Sequence, residues 1–192
     1  MSSTPQSRGS ETADLDTSSD DYAERFAGEL GTWFLDVQAS IIRDLLRHLP
    51  RNATVIDVGG GHAQVTPALL DAGYRVVVVG SHPSSGLRLT PWVDGGRCRF
   101  EVADLQALPY EPGAFDAAVC VRLLPHSVSW TGLVRELCRV TRHSVIVDYP
   151  SIRSINIISD RFFALKKRIE RNTRPFTLFH PQQIRSAFQS NG

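Results

Sequence analysis

The chain has 192 residues, a length that suits one domain with a sizeable hydrophobic core. Its 21 Lys and Arg residues nearly balance its 20 Asp and Glu residues, so the net charge attracts neither nucleic acid nor an anionic membrane. No run approaches 18 apolar residues, and the N-terminus lacks the order of a signal peptide, which predicts a soluble, cytoplasmic protein. The three cysteines (Cys98, Cys120 and Cys138) form no CxxC pair, which argues against a disulfide framework or a zinc cluster.

Residues 1–19 are rich in Ser, Thr and Asp with little to bury, and we predict a disordered N-terminal tail. A domain over residues 20–192 follows, and it opens with a helical cap over 20–49. The cap is predicted as one amphipathic helix, or as two that divide around 28–31, because apolar residues recur there at spacings of three and four. These apolar residues are Tyr22, Phe26, Leu30, Trp33, Val37, Ile41 and Leu45.

A short β-branched run, Thr54–Val58, predicts a buried parallel strand that leads into Gly59, Gly60 and Gly61. A helix is expected over 63–72. The loop is not a dinucleotide fingerprint, since Gln64 stands where the last glycine belongs, and no Gly-Lys-Ser or Gly-Lys-Thr of a P-loop follows. Asp57 near the strand's end repels a pyrophosphate but can hold a cationic amino group, so the loop favours a zwitterionic ligand.

Asp57, Gly59 and Gly61, with Ala63 in the last glycine place, give the chain a first motif that resembles that of class I S-adenosylmethionine-dependent methyltransferases. A second segment over residues 102–119 resembles the family's third-strand acidic motif and the turn that leads to its fourth strand. The resemblance implies S-adenosylmethionine as cofactor, held by Asp57 and the three glycines. It further implies that Asp104 accepts a hydrogen bond from the adenine amino group and that Leu105 flanks the ring.

One expected residue is missing from the end of the second strand. Nucleotide-binding folds place an acid there, about 20 residues after the glycine loop, where it binds the ribose hydroxyls. Here that position is Gly80, and Ser81 or His82 could contact the ribose more weakly. A hydrogen bond to a charged group is worth roughly 1.5–3 kcal/mol, so the loss predicts cofactor binding about tenfold to a hundredfold weaker.

Further segments alternate between strand and helix: a short helix over 83–89, strands over 99–103, 115–121 and 144–148, and a helix over 129–140. This order predicts an α/β, Rossmann-like, doubly wound parallel sheet of about five strands, with the cofactor-binding core over 50–150. Ligands of such sheets lie at the carboxyl ends of the strands. The residues expected at those ends are Asp57, Gly80, Asp104, Arg122 and Asp148.

Residues 151–192 are predicted to form C-terminal helices, the second of which begins at Pro181. The family's final antiparallel strand pair is then lacking, either because the chain is a truncated form or because the sheet stops at five strands. An uncovered sheet edge favours a homodimer. The basic run between Arg161 and Arg174 is interpreted as a solvated helix face rather than a contact to nucleic acid.

Methyl transfer from a sulfonium needs proximity and orientation more than a fixed catalytic residue. His126, just past the fourth strand, is the candidate catalytic base, and an exposed loop histidine is the alternative. Arg122 is a candidate cofactor ligand, and it could also bind an acidic acceptor or pair with Asp104 or Asp148. No metal-ligand spacing such as HExxH occurs.

The resemblance, closest to the group that modifies quinone-like and other small metabolites, implies methylation of a small molecule at oxygen, carbon or nitrogen. In that family an N-terminal cap often covers the acceptor, so the aromatic part of residues 20–49 either lines such a lid or covers the sheet edge. Two rival functions stay open. One is a degenerate, non-catalytic cofactor-binding or interaction protein, and the other is a nicotinamide-dependent enzyme, which Gln64 and the missing ribose acid disfavour.

Overall fold

The computed structural model describes residues 13–17, 27–152 and 176–191. In these residues a five-stranded sheet has the strand order β3-β2-β1-β4-β5, and every neighbouring pair is parallel. The strands are β1 Thr54–Val58, β2 Arg75–Gly80, β3 Cys98–Val102, β4 Phe115–Cys120 and β5 Thr141–Val147. The order reverses between β1 and β4, which confirms the predicted Rossmann-like, doubly wound class.

Helices connect and flank the strands. In the described part of the chain the α-helices are α1 Ala13–Thr17, α2 Gly28–Leu46, α3 Thr66–Asp71, α4 Thr90–Asp94, α5 Trp130–Val140 and α6 Pro181–Gln189. Short 3₁₀ helices lie at Gly60–His62, Pro83–Leu89 and Leu124–His126.

One predicted helix boundary was wrong, and another stays a prediction. α2 begins at Gly28, which has a φ of 84°, and residues 18–26, which the predicted break around 28–31 would separate from α2, lie outside the described set. The helix expected over 63–72 begins only at Thr66, because the glycine turn continues as a 3₁₀ helix and Ala63 takes a left-handed φ of 55°. That conformation cannot continue a right-handed helix.

The core forms one layer on each face of the sheet, because side chains alternate along each strand. Ile56 and Val58 point into the layer that packs against α5 and α6. Val55 points into the opposite layer, which packs against α2 and α3. Asp57 shares the face of Val55 and lies in register with two buried valines, which explains why this carboxylate is desolvated.

Only part of α2 is covered by the sheet. Ile42 and Leu46 are buried, whereas Trp33 is 61% exposed and Phe34 is 50% exposed. The amphipathic helix is therefore confirmed from Gly28 onward, but its N-terminal apolar residues do not join the core. Tyr22 and Phe26 lie outside the described residues. No helix in the described ranges is both long and apolar enough to cross a membrane.

The disordered-tail prediction needs a correction for residues 13–17, which form α1. Near the other end, α6 begins at Pro181 as predicted, with a capping box formed by His180 and Gln183. Phe179 is fully buried and Ser151 pairs with it in a single parallel bridge. No antiparallel strand pair occurs within the described residues. The helix predicted between residues 151 and 180 falls mostly on residues 153–175, outside the described set.

An ion pair fixes the loop between β3 and β4. The Glu136 carboxylate accepts from the Leu108 backbone N–H at 2.9 Å and from Arg139 at 2.7 Å. Arg139 also donates to the Leu108 and Tyr110 carbonyl oxygens at 2.8 and 2.6 Å. The loop between β3 and β4 is thus bound to α5 at both Leu108 and Tyr110.

Candidate cofactor-binding site

The carboxyl ends of the five strands bring most of the predicted site residues to one edge of the sheet, as the parallel topology requires. The residues at or just beyond these ends are Asp57 and Gly59 for β1, Ser81 for β2, Asp104 for β3, Arg122 for β4 and Asp148 for β5. What distinguishes them is the direction in which each side chain points and the partner that it contacts.

The turn after β1 is tight because Gly59 has a φ of 76°, a conformation that a side chain disfavours. Its N–H donates to the Val79 carbonyl at 2.8 Å, which ties the turn to β2. A Cβ on Gly59 would also lie 2.8 Å from the Leu123 Cδ2 atom. Three glycines were predicted to allow positive φ, and of these Gly59 adopts it while Gly60 and Gly61 do not. The lack of a side chain at Gly60 therefore has another reason.

That reason is Asp57. A Cβ built on Gly60 would fall 2.2 Å from the Asp57 carboxyl carbon, so the carboxylate lies directly beneath the turn. Its Oδ2 accepts from the Thr66 hydroxyl at 2.8 Å, at the first residue of α3. Within the described residues the carboxylate enters no ion pair. Asp57 therefore joins strand, glycine turn and helix, and it places negative charge under the turn.

Burial strongly changes the pKa of the Asp57 carboxyl group. Asp57 is 1% exposed, and desolvation raises the pKa of its carboxyl from 3.8 to about 6, against a smaller opposing effect of the Thr66 hydrogen bond. The ionised form is thus present near neutral pH but is held at an energetic cost. A cationic ligand group above the turn would reduce that cost.

The end of β2 differs from the sequence-based expectation. A Cβ on Gly80 would lie 2.1 Å from the Ser85 Oγ atom and 3.1 Å from the Phe100 ring, so no acidic side chain fits there. The Asp14 carboxylate from α1 lies at this place instead. Its Oδ2 accepts from the Ser81 N–H at 2.7 Å and its Oδ1 accepts from the Ser81 hydroxyl.

Sequence reasoning missed Asp14, which is fully buried and is 67 residues away from Ser81 in the chain. The residue belongs to a polar segment without apolar periodicity, so the sequence carries no signal for it. Ser81 was predicted as a direct ligand contact. In the structure its backbone N–H and hydroxyl bind Asp14, so a protein carboxylate already occupies these two donors.

The two residues predicted for the adenine end behave differently. Asp104 is exposed, and its Oδ1 accepts from the Gln106 N–H at 2.9 Å, which leaves the carboxylate at the surface of the β3 end. Leu105 has no exposed surface and packs in the core layer with Leu108 and Leu124. In this arrangement the Leu105 side chain is part of the core, and its contact with the adenine ring stays a prediction.

At β4 and β5 the structure joins several predicted residues. The Arg122 N–H donates to the Asp148 carboxylate, whereas its guanidinium donates to the Gln38 side chain at 3.0 Å and lies 5.5 Å above the Phe34 ring. The contact with Asp148 is made by the Arg122 backbone N–H and not by the guanidinium, so the predicted pairing of the Arg122 charge stays a prediction. The Arg122 side chain reaches α2 and attaches that helix to the β4 end.

His126 lies in the same region, in the 3₁₀ helix that follows β4, with its ring 5.6 Å from that of Phe176. Burial raises the pKa of Asp148, while the Arg122 N–H, the Arg122 charge and His126 all act to lower it. His126 is therefore close enough to Asp148 to influence its titration. Arg122, His126 and Asp148 together make a polar cluster beside the partly exposed ring of Phe34.

A nucleoside with a cationic amino acid portion fits these residues. The turn after β1 brings backbone close to the sheet edge, and the buried carboxylate beneath it disfavours a phosphate. A second carboxylate lies at the β2 end, and a third, Asp104, is exposed at the β3 end. The described residues contain no group of three or more His, Cys, Asp or Glu that could hold a metal ion.

The fold and this edge together define a Rossmann-like nucleotide-binding domain. Residues 56–147, which include the glycine turn and the carboxyl ends of all five strands, match the family model described as a methyltransferase domain. Over this segment the chain is therefore similar to a methyltransferase domain.

An uncharacterised methyltransferase of Mycolicibacterium gilvum (strain PYR-GCK) is 30% identical over 119 residues, which is 62% of this chain and 47% of that protein. The chain thus spans about half the length of this curated relative.

Two solved structures share the fold. Magnesium protoporphyrin IX methyltransferase from Synechocystis PCC 6803, with bound SAH, superposes with a TM-score of 0.69 at 15% identity, over 90% of this chain and 83% of that one. Geranyl diphosphate methyltransferase in complex with SAM gives a TM-score of 0.66 at 17% identity, over 93% and 73% of the two chains. At these identities the likeness concerns the fold alone.

Proposed function

We propose that this chain binds S-adenosylmethionine at the glycine turn and transfers its methyl group to a small-molecule acceptor. The observation that carries the proposal is the Asp57 carboxylate beneath Gly60, inside the segment that matches the methyltransferase domain. A negative charge at this point suits the amino group of a zwitterionic ligand and disfavours a pyrophosphate, so it supports this cofactor over a dinucleotide. The match to the methyltransferase domain also argues against a nicotinamide-dependent enzyme.

The residues proposed to hold the cofactor are Asp57, the turn Gly59, Gly60 and Gly61, and Asp104 toward the adenine. When bound, the cofactor supplies an electrophilic methyl group on a sulfonium. The protein's part is to orient the two reactants and exclude water, because the charge on sulfur disperses in the transition state. Asp57 would contribute by its charge through the turn, and Asp104 by a direct hydrogen bond.

The polar cluster at the β4 and β5 ends is proposed as the acceptor side. It combines a base, His126, with the half-buried carboxylate of Asp148 and the guanidinium of Arg122. The exposed faces of Phe34 and Phe176 add apolar surface next to it. This composition favours a small acceptor with an apolar or aromatic body and a hydroxyl or acidic carbon, the quinone-like class that the sequence suggested.

Calorimetry and a general assay separate the possible functions. Titration with S-adenosylhomocysteine should show saturable heat, and incubation with radiolabelled cofactor and a pool of phenols, hydroxyquinones and small acids should yield a labelled product. Saturable binding without any labelled product would favour the rival function, a non-catalytic binding protein. That rival is supported by the steric exclusion of an acid at Gly80. An absence of heat at millimolar ligand would reject cofactor binding altogether.

His126 provides a sharper test once an acceptor is found. If the histidine removes the acceptor's proton, His126→Gln should lower kcat by about a hundredfold to ten-thousandfold while affinity for S-adenosylhomocysteine stays unchanged. The matched control is His143→Gln, because His143 lies on an exposed part of β5 that precedes the carboxyl end. An unchanged kcat in His126→Gln would show that the acceptor needs no base from this residue.

The cytoplasmic location and the homodimer both stay predictions from the sequence. Fractionation of the source cells tests the first, and light scattering coupled to gel filtration tests the second.

A further inference from the structure

We propose that helix α1 is an intramolecular inhibitor, which occupies the ribose side of the cofactor site and has to leave before S-adenosylmethionine binds. The proposal rests on the proposed cofactor binding at the glycine turn. It concerns the contact between Asp14 in α1 and Ser81 at the end of β2, which are 67 residues apart in the chain. The N-terminal helix then regulates the affinity for the cofactor.

Helix α1 bridges the two segments that would flank a bound ribose. It contacts the glycine turn at Gly60–His62 on one side and the 3₁₀ helix Pro83–Leu89, which follows β2, on the other. In doubly wound folds the glycine turn after the first strand and the end of the second strand lie on either side of the ribose. A helix that spans this interval stands where the nucleoside has to enter.

The polar groups at the end of β2 are already bound by the protein itself. The Asp14 carboxylate accepts from the Ser81 N–H with one oxygen, at 2.7 Å, and from the Ser81 hydroxyl with the other. The Asp14 side chain has no exposed surface, so it presents no acceptor to a ligand. This contact therefore closes the β2 end of the site and does not line it.

The wall behind this contact is tightly packed. Ser85 is buried, and its hydroxyl donates to the His82 carbonyl at 2.7 Å. A Cβ on Gly80 would already lie 2.1 Å from the Ser85 Oγ atom. Because the strand end cannot give way without cost, space for a ribose has to come from movement of α1.

Helix α1 is suited to such a movement because it has five residues, too few for a stable helix without tertiary contacts. Ala13 packs against the core layer that contains Ile56 and Val58, and Asp14 binds Ser81. Weakening either contact favours the displaced state. The apparent dissociation constant of a cofactor is its intrinsic value divided by the fraction of molecules in which α1 has left.

The test is calorimetry on the full chain with S-adenosylhomocysteine. A hydrogen bond to a charged acceptor is stronger than one to a neutral acceptor, by about tenfold in equilibrium constant. Asp14→Asn should therefore bind this ligand up to about tenfold more tightly than the wild type. Asp36→Asn, which removes the same charge from an exposed position on α2, should bind it as the wild type does.

Two further measurements keep the test independent of one substitution. Ala13→Lys should also tighten binding, because it disturbs the packing of α1 and leaves both Asp14 and Ser81 in place; it serves if circular dichroism shows that Asp14→Asn is misfolded. Hydrogen–deuterium exchange over residues 13–17 of the wild type should become faster when S-adenosylhomocysteine is added, since a displaced helix loses its protection.

The outcomes separate this inference from the proposed function. If neither the wild type nor the variants bind S-adenosylhomocysteine at millimolar concentration, the proposed function fails. If the wild type binds it and neither folded α1 variant binds more tightly, cofactor binding stands and inhibition by α1 is refuted. Exchange over residues 13–17 that stays unchanged or slows on binding would refute it as well, because the ligand would then bind beside α1.

Discussion

Asp57→Asn should stabilise the protein at neutral pH while it weakens cofactor binding. The amide keeps an oxygen that accepts from the Thr66 hydroxyl but carries no charge into the buried space under Gly60. Each whole pKa step corresponds to about 1.36 kcal/mol, so a rise from 3.8 to about 6 corresponds to about 3 kcal/mol. The ionised wild-type carboxylate costs the fold up to that amount.

The pH dependence of the stability follows from the direction in which the pKa of Asp57 is shifted. Because the folded protein binds the Asp57 proton more tightly than the unfolded chain, wild-type stability falls as pH rises from 3.8 to about 6 and is level above that window. Below the window Asp57 is neutral in both states. The advantage of Asp57→Asn should therefore be near its minimum at pH 4 and larger by about 3 kcal/mol at pH 7.5, whatever constant offset the amide adds.

Urea unfolding of both proteins at pH 4, 5, 6 and 7.5 measures this difference. Asp116→Asn is the matched control, because hydrogen bonds from Thr54 lower the pKa of Asp116 from 3.8, so the difference in stability between this variant and wild type should stay nearly level from pH 4 to 7.5. A difference between Asp57→Asn and wild type that stays flat across the window, or that shrinks toward pH 7.5, would refute the account of desolvation. Affinity for S-adenosylhomocysteine should fall below about pH 6 in the wild type and show less pH dependence in the variant.

Two further substitutions test the packing and hydrogen bonds that support the site. Gly80→Ala should cost about 1–3 kcal/mol in urea unfolding, because its Cβ meets Ser85 at 2.1 Å, and adding Ser85→Gly should recover part of that loss; no recovery would point to another cause. Glu136→Gln should cost about 1–3 kcal/mol, because the amide carries no charge and has only one oxygen, so it cannot accept from Arg139 Nε and Nη2 on two separate oxygens as the carboxylate does. An unchanged midpoint would show that the loop after β3 is held by packing alone.

The sheet could be predicted from the sequence because β1 and β2 are rich in β-branched residues and because segments of helical periodicity separate the strands. The run Thr54–Val58 followed by glycines specified both a buried strand and a tight turn, and alternation of elements specified the parallel order. The turn at Gly73 also has the left-handed φ that a helix end favours. Such features depend on residues near one another in the chain, so local pattern is enough to predict them.

The roles of the individual site residues were harder to predict from the sequence. Arg122 and Asp148 were expected at strand ends, yet the direction of the Arg122 side chain depends on Gln38 and Phe34 in α2, more than 80 residues earlier. Leu105 next to Asp104 looked like a ligand residue by motif, and packing against α5 buries it completely. A motif gives the position of a residue on the sheet edge, but only its neighbours decide which way the side chain points.

By itself the sequence determined the Rossmann-like class, the glycine turn and the position of Asp57 at the end of the first strand. Periodicity and turn chemistry are local properties of the chain. The tertiary structure alone decided that Gly80 has no room for an acid, and that Asp14 brings a carboxylate to the same place. Steric exclusion by Ser85 and Phe100 and a contact across 67 residues arise only when distant segments pack together, and no local pattern encodes either.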